Sequence, residues 1–402
     1  MKSTTALNSL PASYIRGGTS KGIFLNRKYL PTDHSEWPSI FLKIMGSPDP
    51  EHGRQMNGMG GGVSSGSKIM VLESPTPTQA AAGIDAQYTF AQIGIEDSEI
   101  DYSGNCGNLS SVVGIFAVDE GICVPRQSVS STGETLGTVR LWNTNTNKEI
   151  HTTFPLTSDL RADLDKGQVS IAGVPGEASQ IVLDFVRPGG ARTGKLLPTN
   201  NPVDQLTITE NNISRQYSAS LVDATNPTVF VDSEEIFGSK YLPSEDVYAN
   251  SGSKVLHNTI ENIRKAGAVR MGLDPSAQAQ PKIAILGVPQ KNSSVPSDGI
   301  PHEIEIQALS MGVLHRAVPV TVGLCLGVAG SVEGTIIHKI LQQTRSATTN
   351  QSDPERLRQG LIRMKHPSGI MDVGAQFDEE GSAISAKVIR TGRRLMQGVV
   401  WL

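Results

Sequence analysis

The sequence has few cysteines, no block of one charge and no long apolar run, and each shortage narrows what the chain can be. Its three cysteines, Cys106, Cys123 and Cys325, are widely spaced and form no Cys-x-x-Cys pair. They therefore supply neither a disulfide framework nor a structural zinc site. The eight histidines include no His-Glu-x-x-His arrangement, so no metal centre is expected. No apolar run approaches the roughly 18 residues of a membrane span. Residues 1–13 hold no arginine and lack the charged-then-apolar order of a leader. The last residues, Val399-Val400-Trp401-Leu402, carry no retention or peroxisomal signal. A reducing, cytoplasmic setting is the expectation. Lys and Arg number 35 against 39 Asp and Glu, a net charge of −4 without basic blocks. That argues against nucleic acid as a partner, while leaving local cations free to hold a small anion.

What is present is core material. Of 402 residues 38% are hydrophobic, which at about 150 residues per domain predicts two or three folded domains. The 41 glycines and 23 prolines are too few for a low-complexity chain. Short alternating segments predict strands over 13–25, 69–73, 86–93, 139–143, 180–184, 206–208, 221–222, 228–232 and 282–288. Further strands are expected over 363–373, around a His-Pro-Ser-Gly turn, and over 386–389 and 398–401. Residues 109–119 and 318–329 are apolar almost all round, the mark of buried helices. Asn105 or Ser103 could cap the first, and Gly121 could end it. Residues 253–271 predict a longer amphipathic helix ending at Gly272, and 38–45 a short one ending at Gly46.

The two apolar helices hint at an internal duplication. Cys106 follows Gln92 by 14 positions, and Thr321 follows Gln307 by the same number. Glu120-Gly121 and Glu333-Gly334 follow the helices in turn, and the boundary would fall within 188–202.

Three stretches can carry chemistry. In Ser103-Gly104-Asn105-Cys106-Gly107-Asn108 a cysteine sits where a buried helix begins. Free N–H groups and the helix dipole favour a thiolate there, and the glycines admit a substrate close to the backbone. A small buried cysteine in a tight turn is the plainer alternative. Residues 58–68 resemble a phosphate loop, but Ser67 precedes Lys68 and a strand-like run follows, which excludes an ATP loop. Its backbone donors, hydroxyls and lysine suit carboxylates. Arg16-Gly17-Gly18-Thr19-Ser20-Lys21-Gly22 offers an arginine that could grip a carboxylate, although a hairpin turn explains it equally well. The stretch 189–195 is similar in chemistry. Cys123 and Cys325 read as core.

Taken as an ordered set, these stretches resemble the PrpF family of the diaminopimelate-epimerase-like superfamily. The matching segments are RGGTSKG at 16–22, GGGVSSGSK at 60–68, DYSGNCGNL at 101–109, TGKLLP at 193–198, VDATNPTVFV at 222–231, Met311-Gly312 with His315, and HPSG at 366–369. The resemblance implies an α+β fold of two pseudo-symmetric domains, 1–190 and 191–402, each a curled β-sheet around a central buried helix. The last strand would pack back on the first domain, and the site would lie in the cleft with both helix N-termini pointing in. It implies a cofactor-independent isomerase that moves a proton across an allylic system of a small unsaturated di- or tricarboxylate, of aconitate or 2-methylaconitate type. The family's catalytic positions fall on Lys68 and Cys106. Substrate-binding positions are expected at Arg16, Thr19, Ser20, Lys21, Ser64, Ser65, Asn105, Gly107, Asn108, Met311, Gly312, His315, Thr321, Ser368 and Gly369. Epimerases of the superfamily use a cysteine at each helix start, whereas Thr321 would stand at the second one here. An amino- or hydroxy-acid epimerase and a non-catalytic carboxylate-binding protein are the alternatives. No metal or membrane partner is expected, and a homodimer is one of the assemblies open to the chain.

Overall fold

The computed structural model describes residues 9–402 apart from 103–104, 211–212, 249–252, 278–279, 291–300, 311–312, 316 and 348–359. The chain divides into two compact units, one running to Asp184 and including Ile389–Leu402, the other Phe185–Val388. The expected α+β architecture is present: strands dominate and each unit has one helix buried along its length.

In unit 1 the elements are β1 (Ser9–Gly17), β2 (Ser20–Asn26), α1 (Trp37–Met45), β3 (Lys68–Glu73), α2 (Pro77–Ala81), β4 (Ala86–Ile93), β5 (Ile100–Asp101), α3 (Gly107–Asp119), β6 (Arg126–Val129), β7 (Thr135–Asn143), β8 (Lys148–Pro155), β9 (Val169–Ile171), β10 (Val174–Ala178) and β11 (Ile181–Val186). Alternation assigns the two faces of its sheet. Ile23 and Leu25 of β2, Ile69 and Val71 of β3, and Ala91 and Ile93 of β4 form one core with Trp37, Phe41, Ile44 and Met45 of α1. The residues between them point the other way, onto α3, and the ring of Phe24 lies 5.5 Å from that of Phe116. Leu109 to Ala117 are all buried, so α3 needs no polar face.

Unit 2 continues with β12 (Asp204–Glu210), β13 (Ile213–Ala224), β14 (Asn226–Asp232), α4 (Ser233–Phe237), α5 (Ser253–Arg270), β15 (Lys282–Gly287), β16 (Ile304–Ser310), β17 (Val313–Leu314), α6 (Val320–Ala329), α7 (Ile336–Ala347), β18 (Leu361–His366), β19 (Gly369–Phe377) and β20 (Ala383–Arg390); β21 (Gly392–Trp401) ends the chain in unit 1. The pairing pattern of the two units is the same. The first two pairings, β21–β1 and β1–β2, are antiparallel, as are β12–β13 and β13–β14. A parallel pairing follows in each, β2–β3 and β14–β15. Next come antiparallel β3–β4 and β4–β5 in one unit, β15–β16 and β16–β17 in the other. After the buried helix, β4–β7 and β16–β18 are parallel, and β7–β8 and β18–β19 antiparallel. The duplication of these pairings is therefore structural, and the opening strand of the unit 1 repeat, β21, is supplied by residues 392–401; the β6–β7 pairing and the β9–β10 hairpin are additions of unit 1.

Several expectations shift in detail. Residues 13–25 form the two strands of a hairpin that turns at Gly18-Thr19, as the Gly-Gly centre allows. The second buried helix begins at Val320, with Pro319 as its cap, because proline favours helix entry and cannot accept a place deeper inside. α7 was not expected. No helix among the described residues is long and apolar enough to cross a membrane.

Candidate active site

Cys106 is the N-cap residue of α3, with extended backbone and no side chain closing the helix end. The first turn carries no acidic residue to offset the positive end of the dipole. Asn105, a candidate cap, does something else. Its Oδ1 accepts from the Tyr88 hydroxyl at 3.2 Å and from Ser110 Oγ at 3.0 Å. Tyr88 is fully buried, and burial pushes its phenol well above the ordinary value, so it remains a donor. Asn105 thus ties the segment before the helix to β4 and leaves the helix end open.

The β1–β2 hairpin lies against this opening. A Cβ on Gly17 would stand 2.5 Å from Asn108 O and 3.2 Å from Leu109 Cα, so only glycine lets the hairpin approach α3 this closely. Asn108 Nδ2 donates to Thr19 Oγ1 at 3.1 Å, and Asn108 Oδ1 accepts from Arg390 Nε at 3.2 Å. Arg390 is 4% exposed, and burial lowers its guanidinium to about 10. Cys106 Sγ lies 3.9 Å from Ser20 Oγ. Arg16 Nη1 reaches Gly18 O at 2.9 Å, Thr391 O at 3.1 Å and Thr391 Oγ1 at 3.0 Å, which stitches the hairpin tip to the chain before β21. Burial, then the charge of Arg393, lowers its guanidinium. Lys21 is exposed beside the Tyr14 ring, on the opposite face of β2 from Ser20.

Lys68 opens β3 directly after the glycine-rich loop, and a strand, not a helix, follows it. It is 8% exposed. Its Nζ donates to Oε1 of Gln92, its register partner on β4, and stands 5.2 Å from the centre of the Phe90 ring. Gln92 Nε2 donates to Ser67 O at 3.0 Å and Ser64 O at 3.2 Å. Ser64 and Ser65 are exposed on a 3-10 turn. Below them Gln55, 1% exposed at a φ of 54°, accepts from Gly62 N at 3.0 Å and Ser67 Oγ at 2.6 Å, and donates to Ser47 Oγ at 2.8 Å.

One face of β2 brings these parts together. A Cβ on Gly22 would lie 2.7 Å from Leu109 Cδ1 in the first turn of α3 and 3.3 Å from Lys68 Cβ. Ser20, two residues earlier and hence on the same face, meets Cys106. Lys68, Cys106, Ser20 and the open end of α3 are thereby gathered inside unit 1. Gly107 and Asn108 occupy the first two positions of that helix.

The expected residues of unit 2 have their own setting. Thr321 is in the first turn of α6, two positions beyond the cap, and its carbonyl accepts from Thr225 Oγ1 at 2.8 Å. The 14-residue spacing therefore does not match it to Cys106, because the capping residue here is Pro319. His315 is exposed, and its Nδ1 accepts from Ala317 N at 3.2 Å. Ser368 N donates to Nδ1 of buried His366 at 3.2 Å in the β18–β19 turn, which Gly369 completes at a φ of 137°. Met311 and Gly312 lie outside the described residues. Cys325 is fully buried within α6, where burial pushes its thiol up to about 12. The start of α6 thus bears no thiol, which does not fit a symmetric two-cysteine epimerase. In the 189–195 stretch, Asp223 Oδ2 accepts from Arg192 N at 2.8 Å, Thr193 N at 2.6 Å and Thr193 Oγ1 at 2.8 Å.

The family model described as PrpF protein matches residues 7–402. The chain belongs to the PrpF family. Among PrpF relatives, a 2-methyl-aconitate isomerase of Shewanella oneidensis is 33% identical, covering 97% of this chain and 96% of that protein. A 3-methylitaconate isomerase of Eubacterium barkeri is 32% identical, covering 98% and 97%. The crystal structure of methylitaconate-delta-isomerase matches at a TM-score of 0.80 and 30% identity, covering 98% of this chain and 95% of that one.

Gln92, Gln55, Tyr88 and Arg390 are the residues around the candidate site that the sequence alone does not announce. Only Gln92 carried a signal, as a marker of the repeat. Among the described residues no three His, Cys, Asp or Glu side chains converge as metal ligands.

Proposed function

We propose that this PrpF protein is a cofactor-independent isomerase of a small unsaturated polycarboxylate of the 2-methylaconitate class, and that Lys68 and Cys106 handle the proton. The carrying observation is the gathering of Lys68 and Cys106 by one face of β2 at the uncapped start of α3. A proton on the carbon next to a carboxylate-bearing double bond is weakly acidic. Lys68 takes it, and the electron pair of the broken C–H bond spreads through the double bond onto a carboxylate. The first-turn N–H groups of α3 are donors suited to that negative charge. A proton returned to the far carbon of the three-carbon unit leaves the double bond one position along. Cys106, at the helix start, is the second group able to give or receive it. The Thr19, Ser20, Ser64 and Ser65 hydroxyls and the Asn108 amide are the polar groups for the remaining carboxylates.

The test is proton NMR of the purified protein with 2-methylaconitate, and separately with cis-aconitate, in deuterium oxide. A shifted or isomerised double bond with deuterium at carbon is expected. Lys68→Ala should remove most of the turnover, a general base contributing about 10²- to 10⁴-fold, without unfolding the protein. No exchange into either acid, or a Lys68→Ala variant as fast as wild type, refutes the reading.

A further inference from the structure

We infer that Gln92 is the positioning residue of the reaction: its carboxamide fixes the Lys68 amino group by a neutral hydrogen bond, and the loop of Ser64 and Ser67 fixes the carboxamide. This rests on Lys68 being the proton carrier.

The orientation of an amide is normally ambiguous, since its oxygen and nitrogen are alike in shape. Here the surroundings decide it. Ser67 O and Ser64 O are acceptors only, at 3.0 and 3.2 Å, so the NH₂ end must face them. The oxygen is then turned to Lys68, directly opposite on β3. The lysine leaves β3 beside Gly22 of β2, and its tip stands over the Phe90 ring and is held by Gln92. A carboxamide oxygen accepts from an ammonium or from an amine, so the contact persists in both protonation states. A carboxylate in the same place would favour the ammonium and hinder the base.

The other groups on this side of the sheet are few. β2 offers Ser20, Gly22 and Phe24, none charged. β4 offers Phe90 and the Tyr88 phenol. The α3 end offers Cys106, and β5 offers Asp101, the register partner of Gln92 and itself exposed. Arg390 stands beyond Asn108. Among these described residues Asp101 is the one acid, and it is a strand further from Lys68 than Gln92 is. A charge placed at position 92 should therefore dominate the local field.

Gln92→Glu, Gln92→Met and Lys68→Ala are compared with 2-methylaconitate as probe. Gln92→Glu should move the acidic limb of the pH–rate profile to higher pH by about one unit or more. Gln92→Met, similar in shape but without the acceptor, should lower kcat by about 10- to 100-fold and leave KM within about threefold. Thermal melts report whether each variant folds, and the pH profile of Gln92→Glu stands by itself if Gln92→Met does not. Full activity in Lys68→Ala overturns the parent reading. An inactive Lys68→Ala together with a wild-type pH profile for Gln92→Glu overturns the role of Gln92 alone.

Discussion

Gly17→Ala puts the hairpin-on-helix contact to a quantitative test. Gly17 lies in extended backbone at the end of β1, so the added methyl group meets no backbone strain, only a lack of room. Its Cβ would stand 2.5 Å from Asn108 O, 2.9 Å from Val112 Cγ2 and 3.2 Å from Leu109 Cα. Two of these neighbours are backbone of the first turn of α3 and cannot swing aside. Relief needs α3 and the hairpin to separate by on the order of an ångström. Overpacking of this kind costs about 1–3 kcal/mol. In a unit of this size that lowers the melting temperature by roughly 2–12 °C. The same movement carries the α3 end away from Ser20 and Lys68, and a misplacement near 1 Å costs about 100-fold in rate. Gly398→Ala on β21 is the control, because its nearest neighbour is Met396 Sδ at 3.6 Å, an ordinary contact; it should stay within about 0.5 kcal/mol of wild type. Calorimetry and initial rates on 2-methylaconitate read both effects. A Gly17→Ala protein that melts and turns over like wild type would show that the close approach is irrelevant to the site.

Two further outcomes follow from the thiols and from one buried acid. Cys123 is held up to about 12 by burial and then by the Asp85 charge, and Cys325 up to about 12 by burial, so iodoacetamide near neutral pH should label the native protein at Cys106 alone. Mass spectrometry that finds equal labelling in Cys106→Ser contradicts this. Burial pushes the Glu305 carboxyl up, but the His302 hydrogen bond at 2.9 Å and the Lys365 charge outweigh it and hold it below its ordinary value of 4.5. Its stabilising effect is therefore full above that value and is lost as pH falls through the lower folded one. Urea midpoints at neutral pH and at about pH 3.5 should differ more in wild type than in Glu305→Gln; parallel behaviour would remove Glu305 from the acid response.

The parts of the fold that were legible are those written in local periodicity. β4 occupies 86–93 as its alternation predicts, and α3 fills the all-apolar run that ends before Gly121. Lys68 and Cys106 stand out because each sits at a chain transition, loop to strand and loop to helix. α7 is missing from the expectation although Ile336, Ile337, Ile340 and Leu341 recur at helical spacing. Cys123 reads as core but is only partly buried, since it follows α3 rather than lying within it. The roles of Gln92, Gln55 and Arg390 were not legible for another reason. Each is defined by a partner on a different element, 24 residues away for Gln92 and 282 for Arg390. No local pattern encodes such a meeting. The same holds for the contact of Arg16 with Thr391, 375 residues away.

The displaced opening strand of the unit 1 repeat has a consequence for how the protein is made. Residues 392–401 pair with 9–17, and Arg390 and Thr391 supply the partners of Asn108 and Arg16. During translation, unit 2 has all its strands while the first β-strand still shows a bare edge. Lys68 and Cys106, the candidate proton carriers, belong to the unit that starts first and whose first strand is paired on both sides only once residues 392–401 exist. On the ribosome the nascent polypeptide must therefore keep that edge from foreign pairing until residues 392–401 are made, and a product stopped short of them carries both candidate proton-transfer residues without the strand that braces them.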